Sequence, residues 1–318
     1  MPEDAPILTL AVPCRTDEPS LARTLAVARA AVDGLGQGQP IELLVCINGP
    51  NGAASAALRD VRTFARDAGA PLTERSVDGT GLAPLPRAAA PLTVAALLLG
   101  RAGKPLAWNV LRQQARGPIA IFFDADVWFA PDAFRLLLDA LATAPHAALA
   151  SGKTTCAPRP RAFERIMAAP YGVDFPNLSP QLYAARVAAL PPAMPEDLIE
   201  PERWLEFVLG CNRIVRVPAA RVVVRLPGTL PDFFRQRIRI EMGKVQLARQ
   251  YPELAARGAP QPRARAALAS LGPGGLARLA AYLGLRSAAH AAAWWRYRRG
   301  ATADIWRQAA TTKRWDLV

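Results

Sequence analysis

PIAIFFDADVWFAP, residues 118–131, runs an apolar stretch into two carboxylates, Asp124 and Asp126, with one alanine between them. Apolar side chains then resume at Val127, Trp128 and Phe129. A carboxylate at the end of a buried segment must be paired, hydrogen-bonded or metal-bound, because leaving it unpaired away from water is costly. Residues i and i+2 of a strand point the same way, so this spacing predicts both acids on one side of a strand end. Mg2+ or Mn2+ is typically held by one or two such carboxylates while substrate phosphates complete its shell. A turn in which Asp126 caps the following segment is the other reading of the same residues.

Outward from this stretch, the first 150 residues alternate between two periods. PILTLAV (6–12) and IELLVCI (41–47) read as buried strands, the second ending in the turn signal NGPNG. Helical spacing runs over 19–32, over 53–69, through KPLAWNVLRQQARG (104–117) and through PDAFRLLLDALATA (131–144), where Pro131 suits a first turn. Short strands alternating with longer helices imply a mostly parallel sheet covered on both faces. In such α/β sheets ligands bind beyond the carboxyl ends of the strands, which is where the acids fall. The second half is less regular. QLYAARVAAL (181–190) predicts a strand, NRIVRVPAARVVVRL (212–226) a hairpin turning at 218–220, and 231–250 a long helix. Glu196 and Asp197 are expected at a helix start. Beyond residue 251 the chain is rich in alanine and arginine, with helical segments broken near 272–275 and at Gly300.

Composition narrows the possibilities. Lysine and arginine number 39 against 26 acids, a net charge of +13, and only four of the 39 are lysine. Such a field attracts phosphate-bearing partners, and arginine grips phosphate with a planar fork that lysine lacks. The four cysteines are scattered without metal-type spacing, which fits reduced thiols in a cytoplasmic protein. The longest apolar stretch, APLTVAALLLG (90–100), is too short to span a bilayer, and the first residues lack the basic start of a secretory signal. His146 and His290 have no partner at ligand spacing and are assigned no chemistry.

The motifs fall in a telling order: PCRTDE (13–18), INGP (47–50), GK (103–104), DAD (124–126), ED (196–197) and QRIRI (236–240). Over residues 6–250 this series resembles the family 2 glycosyltransferases. The resemblance implies a GT-A fold and transfer of a sugar from a nucleoside diphosphate, most simply a UDP-sugar, with inversion. It places Pro13, Arg15, Glu18, Asn48, Lys104 and Asp124 around the nucleotide, with Asn48 standing where an aspartate is usual. It places Asp126, with Asp124, on Mg2+ or Mn2+, and makes Asp197 the catalytic base beside Glu196. Gln236, Arg237 and Arg239 fall at the diphosphate or acceptor. Ile240 replaces the tryptophan of the Gln-x-x-Arg-Trp pattern found in polymerising members, so a single transfer fits better than a processive one.

The expected organisation is a GT-A domain over 1–250, with a nucleotide-binding half (1–127) and an acceptor half (128–250), followed by a helical extension over 251–318. That extension holds four of the seven tryptophans among arginines within 291–318. Such a segment either packs on the catalytic domain or lies on an anionic membrane surface at the cytoplasmic face. The expected partners are a nucleoside-diphosphate sugar and a lipid-linked or glycan acceptor of cell-envelope or polysaccharide biosynthesis, with no nucleic acid. Three rivals are a catalytically inactive relative, an arginine-rich nucleic-acid-binding protein and a sugar-phosphate nucleotidyltransferase. The last would carry a glycine-rich phosphate loop after its first strand, which PCRTDE is not.

Overall fold

The computed structural model describes residues 8–35, 40–78, 82–86, 90–157, 161–172, 178–256, 271–300 and 312. Of the Trp/Arg-rich stretch 291–318, residues 301–311 and 313–318 therefore lie outside the described residues. The strands are β1 (Leu8–Arg15), β2 (Ile41–Asn48), β3 (Leu72–Val77), β4 (Leu92–Leu99), β5 (Ile119–Phe123), β6 (Trp128–Phe129), β7 (Leu149–Cys156), β8 (Leu182–Arg186) and β9 (Ile214–Val224). They form one sheet in the order β3-β4-β2-β1-β5-β8-β7-β9-β6. From β3 to β5 the neighbours are parallel, whereas β8 runs antiparallel to both β5 and β7.

The helices are α1 (Leu21–Asp33), α2 (Ala56–Asp67), α3 (Lys104–Gln114), α4 (Ala133–Thr143), α5 (Ala162–Ala168), α6 (Pro201–Leu209), α7 (Leu230–Gln250), α8 (Pro252–Ala256) and α9 (Pro273–Arg298). Two compact units divide the chain. One comprises Met1–Lys153, Leu178–Asp197 and Asn212–Val222; the other comprises Thr154–Asn177, Leu198–Cys211 and Val223–Val318.

The first unit holds the parallel part of the sheet. Every residue of β2 is buried, as are Leu8–Val12 of β1, so these runs are apolar throughout rather than alternating, as a sheet covered on both faces requires. Helix α2 starts where the Ser55 hydroxyl accepts from the Leu58 amide at 3.1 Å, and it turns Leu58, Val61 and Ala65 inward at helical spacing. At the amino ends of β1 and β2 the buried Glu42 is fully engaged. The Thr9 hydroxyl and the Arg116 amide and Nε each donate to it at 2.6 Å. That end is structural; the carboxyl ends carry the candidate chemistry.

The second unit packs α5, α7 and α9 around Met167, Leu226, Phe233 and Tyr282, and α7 against α9 around Ile238, Met242, Ala289 and Ala293. Between these two cores Glu241 of α7 is buried beside four cationic or ionisable groups. Lys244 Nζ lies 2.8 Å away, Arg237 Nε 3.1 Å, Arg286 Nε 3.2 Å and His290 Nδ1 3.2 Å.

Several expectations need correction. β5 ends at Phe123, and Asp124–Asp126 lie in a turn before β6, so the i, i+2 rule for strands does not govern the two acids. Pro131 precedes α4, whose cap is Asp132. The expected hairpin over 212–226 is one 11-residue strand, β9. Pro218 is exposed within it. Glu196 and Asp197 are in a turn, and α6 begins only at Pro201 with Glu200 as its cap. Strands β3 and β7 carry no expectation from the pattern, and β4 reads only as an apolar stretch without a strand assignment.

Candidate active site

The parallel strands bring the ends of β1, β2, β4 and β5 to one edge of the sheet. Arg15 is opposite Asn48, and Asn48 is opposite Leu99. Asn48 is buried, and both poles of its amide are used. Nδ2 donates to the Cys14 carbonyl at 2.7 Å, and Oδ1 accepts from the Gly103 amide at 3.1 Å. The orientation is forced, since a carbonyl only accepts and an amide N–H only donates. The next residue, Gly49, has φ +130°, and a Cβ there would sit 3.1 Å from the Thr16 hydroxyl, so the turn needs glycine.

Asn48 thereby fixes the residue before Lys104, the first of α3. Lys104 Nζ then reaches Asp124 Oδ1 at 2.6 Å, both side chains being largely buried. A continuous polar path therefore links β1, β2, α3 and the turn after β5. The acid turn itself is held from two sides. The Asp124 amide donates to the Gln181 carbonyl at 3.2 Å. The single hydroxyl proton of Thr24, on the buried side of α1, is shared between the Ala125 carbonyl at 2.9 Å and the Val127 carbonyl at 3.1 Å.

The Glu196–Asp197 turn belongs to the same unit. Asn109 of α3 clasps the segment just before it, accepting from the Met194 amide at 2.7 Å and donating to the Met194 carbonyl at 2.9 Å. Arg101 then pairs with Glu196 at 2.6 Å, and Asp197 is exposed beside that pair. Below, Trp108 of the same helix donates to the Tyr183 hydroxyl at 2.9 Å and stacks on Phe122, which gives α3 a rigid seat on the sheet.

Of the other expected residues, Arg15 forks onto Asp17 at 2.8 and 3.0 Å. Glu18 is buried and accepts from the Ser20 amide at 3.1 Å. Pro13 is part-buried one residue from the Cys14 carbonyl. Gln236, Arg237 and Arg239 are half-buried on α7 of the second unit. Arg237 faces Glu241 and lies 5.7 Å from the centroid of the Tyr282 ring.

The sequence reading assigned no role to Asn109, Thr24 or Arg101. Asn109 and Thr24 had a signal, being polar residues on otherwise apolar helix faces. Arg101, exposed in a loop, had none.

Among the described residues no group of three or more His, Cys, Asp or Glu converges to hold a metal. Two carboxylates at an open edge are instead the donor set of Mg2+ or Mn2+ sites that substrate phosphates complete, and the residues fit that group.

No protein family description matches the sequence, and no curated protein does. Solved structures do match. The mannosyltransferase PcManGT from Pyrobaculum calidifontis, in complex with GDP-Man and Mn2+, is 22% identical, at a TM-score of 0.55 over 100% of this chain and 89% of its own. TarS of S. aureus is 15% identical (TM-score 0.47, 89% of this chain and 49% of its own). Glucosyl-3-phosphoglycerate synthase of Mycobacterium tuberculosis is 16% identical (TM-score 0.46, 76% and 79%). At these identities the likeness is one of fold, and the expected GT-A architecture, an α/β sheet parallel in its first half with a C-terminal helix, is the one observed.

Proposed function

We propose that the chain is a metal-dependent, inverting glycosyltransferase of the family 2 type. It transfers one sugar from a nucleoside-diphosphate sugar to a hydroxyl of a lipid-linked or glycan acceptor, in envelope or polysaccharide biosynthesis at the cytoplasmic side. The observation that carries this reading is the Lys104–Asp124 pair at 2.6 Å in the turn after a parallel strand; Asp126 lies two residues on, and α3, which supplies Lys104, also holds the segment before Asp197 through Asn109. That a structure of the same fold was solved with GDP-Man and Mn2+ supports the donor class and leaves GDP beside UDP as the base to test.

In this mechanism Asp197 accepts the proton of the acceptor hydroxyl as its oxygen attacks the anomeric carbon. The bond from that carbon to the diphosphate oxygen breaks, and inversion follows from attack opposite the leaving group. Asp126 with Asp124 would hold Mg2+ or Mn2+, which would supply charge neutralisation at the diphosphate. Lys104 is oriented by Asp124 and keeps a fixed positive charge beside it at no cost of reorganisation during reaction. Asn109 holds the base in place rather than touching substrate. Asn48 retains one N–H and one lone pair for the nucleoside after its two internal bonds.

Asp197→Asn is expected to lower kcat by about 10² to 10⁴ while leaving nucleotide binding intact. Single-turnover transfer with UDP- and GDP-sugars reads the first, and nucleotide titration the second. Full turnover by Asp197→Asn would remove it as the base.

A further inference from the structure

α9 bears an outward stripe unlike a solvated helix face. Leu276, Leu283, Trp294 and Trp295 are between 41 and 51% exposed, while Tyr282, Ala289 and Ala293 on the other side are buried. At 100° per residue Leu276, Leu283 and Trp294 fall within about 20° of one another, and the stripe runs about 28 Å to Trp295. Between Pro273 and Trp295 the permanent charges are Arg278 and Arg286, and the latter is turned to Glu241. The rest of the outward side is alanine, glycine, serine and His290, whose Nδ1 lies 3.2 Å from Glu241.

Cations then gather at the end of the stripe. The Arg298 guanidinium lies 3.7 Å from the Trp294 ring centroid and that of Arg299 lies 3.8 Å from the Trp295 centroid. Residues 254–303 contain no Asp or Glu.

We infer that this face of α9 lies on an anionic bilayer surface. Leucine and tryptophan would enter the headgroup–acyl boundary, and the stacked arginines would fork onto lipid phosphates. No helix among the described residues is long and apolar enough to cross a membrane, so α9 lies on the bilayer rather than through it. A second copy of the chain is the weaker occupant, because this face would bring no acid to the partner's arginines. The inference places a lipid-linked acceptor and the enzyme on the same surface, yet vesicle binding is read without donor or acceptor and stands or falls apart from glycosyl transfer.

The test is sedimentation of the full chain with vesicles of phosphatidylglycerol mixed with phosphatidylcholine, and with phosphatidylcholine alone, at physiological ionic strength. The mixed vesicles should carry the protein down and the neutral ones should not. Arg298→Gln with Arg299→Gln should weaken partitioning about 30-fold, since each surface arginine contributes about 1 kcal/mol. Leu283→Gln with Trp294→Gln should weaken it on a similar scale; so should Leu276→Gln alone, to a smaller degree. All five side chains are exposed, and thermal unfolding checks that each variant is folded. No binding to the mixed vesicles, or equal binding by folded variants, would overturn the inference. So would a wild-type dimer, seen by light scattering, that Leu283→Gln with Trp294→Gln dissociates.

Discussion

The amide of Asn48 donates to one carbonyl and accepts from one backbone N–H, a combination open to asparagine and closed to aspartate. Asn48→Asp should therefore cost about 1–3 kcal/mol, by losing the donor and setting a carboxylate against the Cys14 carbonyl. A lower urea midpoint would show it, and an unchanged midpoint would mean the clasp contributes nothing. At this scale the sequence pointed to residues better than to their neighbours. Asp124, Asp126 and Lys104 stood out by spacing and order, and the structure joins Lys104 to Asp124 at 2.6 Å. What was illegible is the supporting set. The bonds of Asn109 to Met194 connect residues 85 apart, and those of Thr24 to the acid turn span 101 and 103 positions. No local pattern encodes such separations.

Among the elements, α7 and α9 are joined through one buried carboxylate. Burial alone would raise the pKa of Glu241. Lys244, Arg237 and Arg286 outweigh it and hold the group at about 2, against an ordinary 4.5. A depressed carboxylate stabilises the fold fully above its unfolded pKa, so this contribution is complete above pH 4.5 and is lost as pH falls toward 2. Glu241→Gln should flatten that acid limb and cost about 3 kcal/mol at neutral pH, because the surrounding cations lose their counter-charge. Urea unfolding across that pH range reads both effects. An acid limb unchanged by the substitution would contradict the assignment. Long amphipathic helices such as α7 were visible in the pattern. β3, Leu-Thr-Glu-Arg-Ser-Val, was not, because an edge strand half open to solvent lacks an apolar run. β4 was visible as an apolar stretch, though its length alone does not tell strand from helix. The turn at Asp124–Asp126 was read as strand for a similar reason: the apolar residues on both sides of it, Phe123 and Val127, are buried.

The whole molecule is a strong cation, with a net charge of +13. Donor sugar nucleotides are anions, so capture of the donor should slow as ionic strength rises and the Debye length contracts below about 8 Å. Stopped-flow association of a fluorescent nucleotide diphosphate at increasing salt measures this, and a salt-independent rate would detach the charge from donor capture. The same field draws any polyanion, and salt-dependent oligonucleotide binding would not by itself mark a nucleic-acid-binding protein. What separates the readings is the acid edge, which a nucleic-acid surface has no use for. The most direct measurement is therefore calorimetric titration of UDP and of GDP into the wild type and Asp126→Asn, with and without Mn2+. One of the two nucleotides should bind the wild type in a Mn2+-dependent way, and Asp126→Asn should abolish that binding. Binding of neither nucleotide under any metal condition, or equal Mn2+-dependent binding by both proteins, would contradict a nucleotide-sugar site at this edge of the sheet.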